Sequence, residues 1–303
     1  MKFLPPILVL LLLSTAYSDD FSSNFSKIKK DENPELVEKF LDKSSVSEAD
    51  NPDYYAIAGN YWWQMACSIN ISTKPAEGAD LSVTEQKSGK EIGSISTLGQ
   101  KRPELPKKAL EILSAGATKF PSRADIVLGL ANVQKEMGMT KEYLGTLKAL
   151  LSEAKRDPEN LKWTANRPLP TPAKVFIPEA LQEYSADLYK AGPSSAPFCI
   201  ELCSAIIAVF PDHPYAYNIL AAVASGQGKD EEALRLLKEA NSKNPKDSLI
   251  LLNLGDTYAR VHQDTKAIET YKRVLEYSDD PDLLSQAKDA ITKVEQRADG
   301  KMQ

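Results

Sequence analysis

The sequence predicts an all-α solenoid of about five helix–turn–helix repeats, with a small β-hairpin-like insertion in the first repeat and a capping helix at the C-terminus. Three observations carry this reading. The second half of the chain aligns on itself at a spacing of 34 residues. Small residues recur where paired helices must cross. Gly and Pro fall at the same phase of each repeat, at turns and helix ends.

The alignment is residue by residue. Tyr217, Leu220, Ala221 and Ala224 are answered 34 residues later by Leu251, Leu254, Gly255 and Tyr258. In the second helix of each unit, Ala233, Leu237 and Ala240 are answered by Ala267, Tyr271 and Val274, and one step back stand Cys199, Cys203 and Ile206. Two helices approach closely only where side chains are small, which is the role expected of Ala221 and Gly255 against Ala233 and Ala267. Leu220, Leu237, Leu254, Tyr258 and Tyr271 fill the remaining space. The intervals Leu251–Leu254–Tyr258 and Ala267–Tyr271–Val274 keep one face apolar at helical spacing. Gly226-Gln227-Gly228 forms the turn inside one unit. Phe210-Pro211-Asp212 and Asn244-Pro245 end second helices, because proline cannot continue them.

The stretch Leu249 to Pro281, with Asn253-Leu254-Gly255-Asp256-Thr257-Tyr258, then Ala267, Tyr271 and Pro281, resembles the tetratricopeptide-repeat family. The resemblance covers most of residues 51–281. It implies a right-handed superhelix whose concave face is lined by the first helix of each unit.

Towards the N-terminus a third unit runs from about Pro178 to Pro211, with Ala186 and Tyr189 in its first helix and Ala191-Gly192-Pro193 as its turn. A fourth spans about Arg123 to Pro158, with Leu130-Ala131, a turn at Gly138, and Tyr143, Leu147 and Leu150 in its second helix. Between them, residues 160–177 hold Pro168, Pro170 and Pro172 and are expected as an extended loop on the surface. The remaining unit is interrupted. Asn51 to Cys67 reads as its first helix, with Ala58-Gly59 and Trp62 in the recurring positions, and its partner appears only at Pro106 to Thr118, with Ala109, Leu113 and Pro121. The intervening residues 68–104 carry Ile69 and Ile71, Leu81 and Val83, and Ile92 and Ile95 among polar residues, and Lys87-Ser88-Gly89-Lys90 fits a hairpin turn. They read as a small hairpin or three-stranded flap.

The ends read as caps. Residues 19–50 are expected as a tail with one short helix, Glu35 to Leu41. Residues 282–303 are expected as a capping helix and tail, with Leu284, Ala287, Ile291 and Val294 on the apolar face. At the start of the chain, Lys2, the apolar run Phe3 to Leu13 and Ala16-Tyr17-Ser18 have the form of a signal peptide over residues 1–18, cleaved after Ser18. The expected location is therefore exported, in a bacterial periplasm or secreted. A short signal and three cysteines, Cys67, Cys199 and Cys203, favour the periplasm over a eukaryotic route. After the first 20 residues no run is apolar for long enough to cross a bilayer. A formal charge of −5 argues against a nucleic-acid partner.

No phosphate loop, serine elbow or hydrolase-like carboxylate pair is present, and the chain is expected to be no enzyme. His213 and His262 have no Cys, Asp or Glu at ligand spacing and read as ordinary exposed histidines; neither metal nor cofactor is expected. Cys199 and Cys203 share a helix face and read as buried packing residues rather than a redox pair. Trp62 takes an inward position, whereas Trp63, rotated by about 100°, points to the concave face or packs under the flap. The family's groove geometry, carried onto this chain, implies a partner-binding face of Asn60, Trp63, Gln64, Leu128, Asn132, Lys135, Glu183, Asp187, Lys190, Tyr215, Asn218, Leu252, Asp256 and Arg260. Family members that clamp a C-terminal carboxylate need a lysine and an asparagine where Ala56 and Gly129 stand, so that clamp is not expected.

The functional expectation is an exported, non-enzymatic scaffold that binds a protein or peptide in its groove. The competing readings are a structural subunit of an envelope or secretion assembly, and a carbohydrate-binding accessory protein using Tyr54, Tyr61 and Trp63.

Overall fold

Asn33-Pro34-Glu35 and Asn51-Pro52-Asp53 start two helices in the same way. The asparagine side chain accepts from the backbone N–H two residues on, proline fills the first helical position, and an acid follows in the first turn. These begin α2 (Pro34–Ser47) and α3 (Pro52–Cys67). The computed structural model describes residues 20–30, 33–72, 81–84 and 90–298. The expected signal segment and its cleavage point, and Lys87 to Gly89 of the expected hairpin turn, lie outside the described residues. The chain divides into two compact units, one ending at Thr171 and the other beginning at Pro172.

The N-terminal unit opens with α1 (Asp20–Lys30), which corrects the expected tail, and α2 is twice as long as the helix expected over Glu35 to Leu41. The reason is aromatic packing among α1, α2 and α3. Phe21 stacks on Phe40 at 5.6 Å and meets Tyr54 edge-on at 5.7 Å, and Phe25 meets Tyr61 edge-on at 6.1 Å. Together with Leu41, Ile57, Trp62, Leu105 and Ala109 they form one core.

Helix α3 pairs with α5 (Glu104–Lys119), as the sequence predicts, and α6 (Ala124–Glu136) pairs with α7 (Thr140–Arg156). Between α3 and α5 the insertion forms a three-stranded antiparallel sheet, β1 (Ile69–Ser72), β2 (Leu81–Thr84) and β3 (Glu91–Thr97), in the order β1-β3-β2, followed by the single turn α4 (Leu98–Lys101). The register sets Ile71 and Leu81 on either side of Ile95.

Residues 160–177 are not the expected extended loop. Two-residue strands β4 (Lys162–Trp163) and β5 (Arg167–Pro168) make a tight hairpin whose turn residues Ala165 and Asn166 are left-handed, with φ of 59° and 51°. Buried charge latches it down. Arg123 Nη2 donates to Asp53 Oδ1 at 2.6 Å and to Asp125 Oδ2 at 2.8 Å, the Ala165 N–H donates to Asp53 Oδ1 at 3.0 Å, and the Thr164 hydroxyl donates to Asp125 Oδ2 at 3.2 Å. Burial works against the Arg123 charge, but hydrogen bonds and the field of Asp125 and Asp53 outweigh it and raise its pKa above the ordinary arginine value.

In the C-terminal unit α8 (Ala173–Lys190) begins inside the stretch expected as loop, and Pro178 sits within it, buried. A proline so near the start removes one intrahelical bond and leaves the first turn intact. Then follow α9 (Ala196–Val209), α10 (Pro214–Gly226), α11 (Asp230–Lys243), α12 (Ser248–Arg260), α13 (Asp264–Tyr277) and α14 (Pro281–Ala298). The bounds of α10 and α11 map onto α12 and α13 at the predicted 34-residue spacing. Helices α8, α10, α12 and α14 form one row, each touching the next. Helices α9, α11 and α13 form a second row, each wedged against two helices of the first.

Small residues set these contacts as expected. A Cβ on Gly255 would lie 2.5 Å from Tyr271 Cε1, and one on Gly59 would collide with the Leu113 side chain. Cys199 and Cys203 are buried and free, with the Cys199 thiol 3.5 Å from the Ser185 carbonyl. The turns repeat too. Gly138, Gly228 and His262 each stand second in a three-residue link with φ of 73°, 72° and 58°. The N–H groups of Met139, Lys229 and Gln263 each reach back five residues to close the helix end. The expectation for His213 is corrected: the residue is half-buried, its ring lies against Tyr215, and both nitrogens are shut off from solvent with no hydrogen-bond partner among the described residues.

Candidate functional site

The expected partner-binding residues fall on α3 and α6 in the N-terminal unit and on α8, α10 and α12 in the C-terminal unit. In the N-terminal unit, packing takes several of them. Asn60 is buried, donates to the Ala56 carbonyl at 2.7 Å and abuts Gly129; Leu128 is buried as well. Trp63 is half-buried against Leu113, Ile126, Leu130 and Val133 and is no free anchor. Asn132 and Lys135 are half-buried and Gln64 is exposed. The aromatic platform imagined for a sugar is covered, because Tyr54 and Tyr61 lie under α1, and burial pushes both phenols up to about 12.

In the C-terminal unit Asn218 is buried and accepts from Asn253 Nδ2 at 2.9 Å, and the Tyr215 hydroxyl donates to Asp247 Oδ2 at 2.5 Å. These two hold first-row helices to their neighbours. Glu183 and Asp187 are half-buried on α8 and Lys190 is exposed at its end.

Leu252, Asp256 and Arg260 come together at one pocket, and the last two also line a second. One, of about 430 Å³, opens between α12 and α14. Its floor is Leu252, Ala259, Ala290 and Val294, and its rim is Asp256, Arg260, Gln286, Asp289, Lys293 and Arg297. The other, of about 360 Å³, lies across α8, α10 and α12, with Tyr189, Ala221, Ala222, Ser225, Asn253 and Thr257 among its walls. Asp256 and Arg260 line both. A third cavity of about 460 Å³ in the N-terminal unit is walled by α5, α6 and α7, and none of the expected residues reaches it.

Charge around the shared ridge is arranged by the second row. Arg260 Nε donates to Asp230 Oδ1 at 2.8 Å and its Nη2 to the hydroxyls of Thr257, at 2.8 Å, and Ser225. Arg297 donates to Asp264 and to the Ala259 carbonyl. Asp230 and Asp264 are equivalent residues of successive repeats, each the first of its helix. The Tyr271 hydroxyl donates to Asp256 Oδ1 at 2.6 Å; burial and this bond raise its pKa, so it stays a donor. Among the described residues no group of His, Cys, Asp and Glu is placed to hold a metal ion.

Sequence reasoning missed the α14 side of the pocket, taking that helix for a cap alone. The signal was present: Gln286, Asp289, Lys293 and Arg297 follow spacings of three and four and lie on one stripe.

Residues 224–291 match the family model described as tetratricopeptide repeat, which covers α11 to α13 with parts of α10 and α14. This stretch, less than half of the chain, is tetratricopeptide repeat. No curated protein matches the chain. Solved structures resemble it distantly. A tetratricopeptide repeat protein from Parabacteroides merdae is 15% identical over 93% of this chain and 86% of its own, with a TM-score of 0.40. PilF of Pseudomonas aeruginosa is 14% identical over 65% and 84%, with a TM-score of 0.40. YrrB, described as a tetratricopeptide protein with an unusual peptide-binding site, is 18% identical over 63% and 87%, also with a TM-score of 0.40. At those scores the likenesses carry no argument.

Proposed function

We propose that the protein is an exported, non-enzymatic scaffold that binds a segment of another protein along the row α8, α10, α12 and α14. The observation that supports this reading is the pair of adjoining pockets sharing Asp256 and Arg260. Two apolar-floored depressions with a polar ridge between them suit an extended chain, whose neighbouring side chains enter successive pockets while its backbone meets the ridge. Export rests on the form of residues 1–18, and no described helix is long and apolar enough to cross a membrane.

The test places a photo-crosslinking amino acid at Gln286, on the pocket rim, or at Glu239, exposed on the second row, in protein expressed in its native cells. Both positions are exposed. A partner captured from Gln286 and not from Glu239 supports the groove. Capture from Glu239 alone sinks it and leaves a scaffold that works through its second row.

A further inference from the structure

We propose that the segment bound along this row carries a lysine or arginine beside an apolar residue, and that the Asp256 carboxylate receives its charge. The inference rests on the groove reading above and gives it a partner chemistry.

The argument is one of unmatched charge. Arg260 and Arg297 both line the larger pocket, yet each guanidinium already has a carboxylate of its own, Asp230 and Asp264, at the start of a second-row helix. An acidic ligand would have to compete with bonds already made. Asp256 has no such partner: among the described residues no lysine or arginine nitrogen lies within 4.0 Å of it, and its hydrogen bond is to the neutral Tyr271 hydroxyl. Asp289, on the opposite rim, is in the same position. Lys293 is the one lining cation without an ion pair among the described residues, so two carboxylates face one ammonium. Desolvating a carboxylate in a half-closed pocket without a counter-ion is costly, and a charge-assisted bond from an incoming cation removes that cost. The floor of Leu252, Ala259, Ala290 and Val294 suits the methylene stem of lysine or arginine and an apolar neighbour. Asp256 also lines the second pocket, so a cation there places the flanking residue over Ala221 and Ala222.

The experiment uses two blocked, fluorescein-labelled nonapeptides of leucine, alanine and glutamine, identical except that one carries three arginines where the other carries three glutamates. Their binding to the full chain is followed by anisotropy. The arginine peptide should bind at least about tenfold tighter than the glutamate peptide and weaken with salt. Asp256→Asn keeps the acceptor for Tyr271 and should erase most of that preference, and Asp256→Glu should restore part of it. A glutamate peptide that binds as well or better overturns the proposal, as does a preference untouched by Asp256→Asn, or no binding of either peptide. Ala290→Trp, which fills the larger pocket, separates the two readings. If the glutamate peptide wins and Ala290→Trp abolishes its binding, the groove stands and the basic partner falls. If the two peptides bind and neither responds to Ala290→Trp, both readings fall.

Discussion

Arg123 Nη2 lies 2.6 Å from Asp53 Oδ1, joining the starts of α3 and α6 across 70 residues of sequence. The side chains are 2% and 7% exposed, and Asp53 also takes the Ala165 N–H, so one carboxylate ties two repeats to the β4–β5 hairpin. Removing Asp53 leaves Arg123 paired with Asp125 alone and takes away the acceptor of the Ala165 N–H. Asp53→Ala should therefore cost about 1–3 kcal/mol, whereas Asp50→Ala, which breaks the Lys119 pair at a 96% exposed carboxylate, should leave the unfolding midpoint nearly unchanged. All three tryptophans, Trp62, Trp63 and Trp163, lie in the N-terminal unit, so their fluorescence during urea unfolding reports on it selectively. Equal effects of the two substitutions would refute the latch.

His262 stands where the other two turns have glycine and holds φ of 58°. An L-residue pays about 1–2 kcal/mol for that conformation, and its exposed ring recovers none of it by packing. His262→Gly should therefore stabilise the C-terminal unit by about 1 kcal/mol, and Gly228→Ala should destabilise it by a similar amount. Thermal unfolding by far-ultraviolet circular dichroism measures both.

Two glycines separate close approach from mere helix weakening. A Cβ on Gly255 meets the Tyr271 ring, whose hydroxyl is fixed on Asp256 and prevents it from swinging away. Gly255→Ala should cost about 1–3 kcal/mol through overpacking. Gly145, in α7, has nothing within 4 Å of the same position, and Gly145→Ala should gain about 0.5–1 kcal/mol from helix propensity. Urea unfolding of the two variants should shift in opposite directions.

Burial of the His213 ring pulls its pKa from the ordinary 6.5 down to about 4. In the folded chain it is neutral above that value, whereas the unfolded chain takes up a proton below 6.5. Stability is thus fully present above pH 6.5 and falls as pH drops towards 4, by about 2–3 kcal/mol in all. His213→Leu should flatten that stretch of the stability profile. An unchanged slope would assign the acid sensitivity to other groups.

Much of the fold was legible because a solenoid is built from local pattern and neighbour contact. The 34-residue spacing located α10 to α13 with their turns, and Ala58-Gly59 with Trp62 located α3 across an interruption of its repeat. Helix α1 was missed although Phe21, Phe25 and Ile28 have helical spacing, because the segment is short and polar apart from those three, and only α2 and α3 give them a surface. The prolines of residues 160–177 read as a loop, since nothing local reveals that Asp53, far upstream, holds Ala165. Of the expected binding face, Asp256 and Arg260 share a pocket, while Asn60 bonds back to its own helix and Asn218 to the next first-row helix.

By itself the sequence determined the repeat, its period, the helices that pair and the small residues at their crossings. These follow from interactions between residues a few turns apart, which leave a periodic trace. Tertiary structure alone decided which polar residues were consumed in packing, which buried charges latch the β4–β5 hairpin, and how α14 joins α12 to close a pocket over Asp256. Those outcomes depend on where side chains distant in sequence meet and on how much water each contact excludes, and neither leaves a period to read.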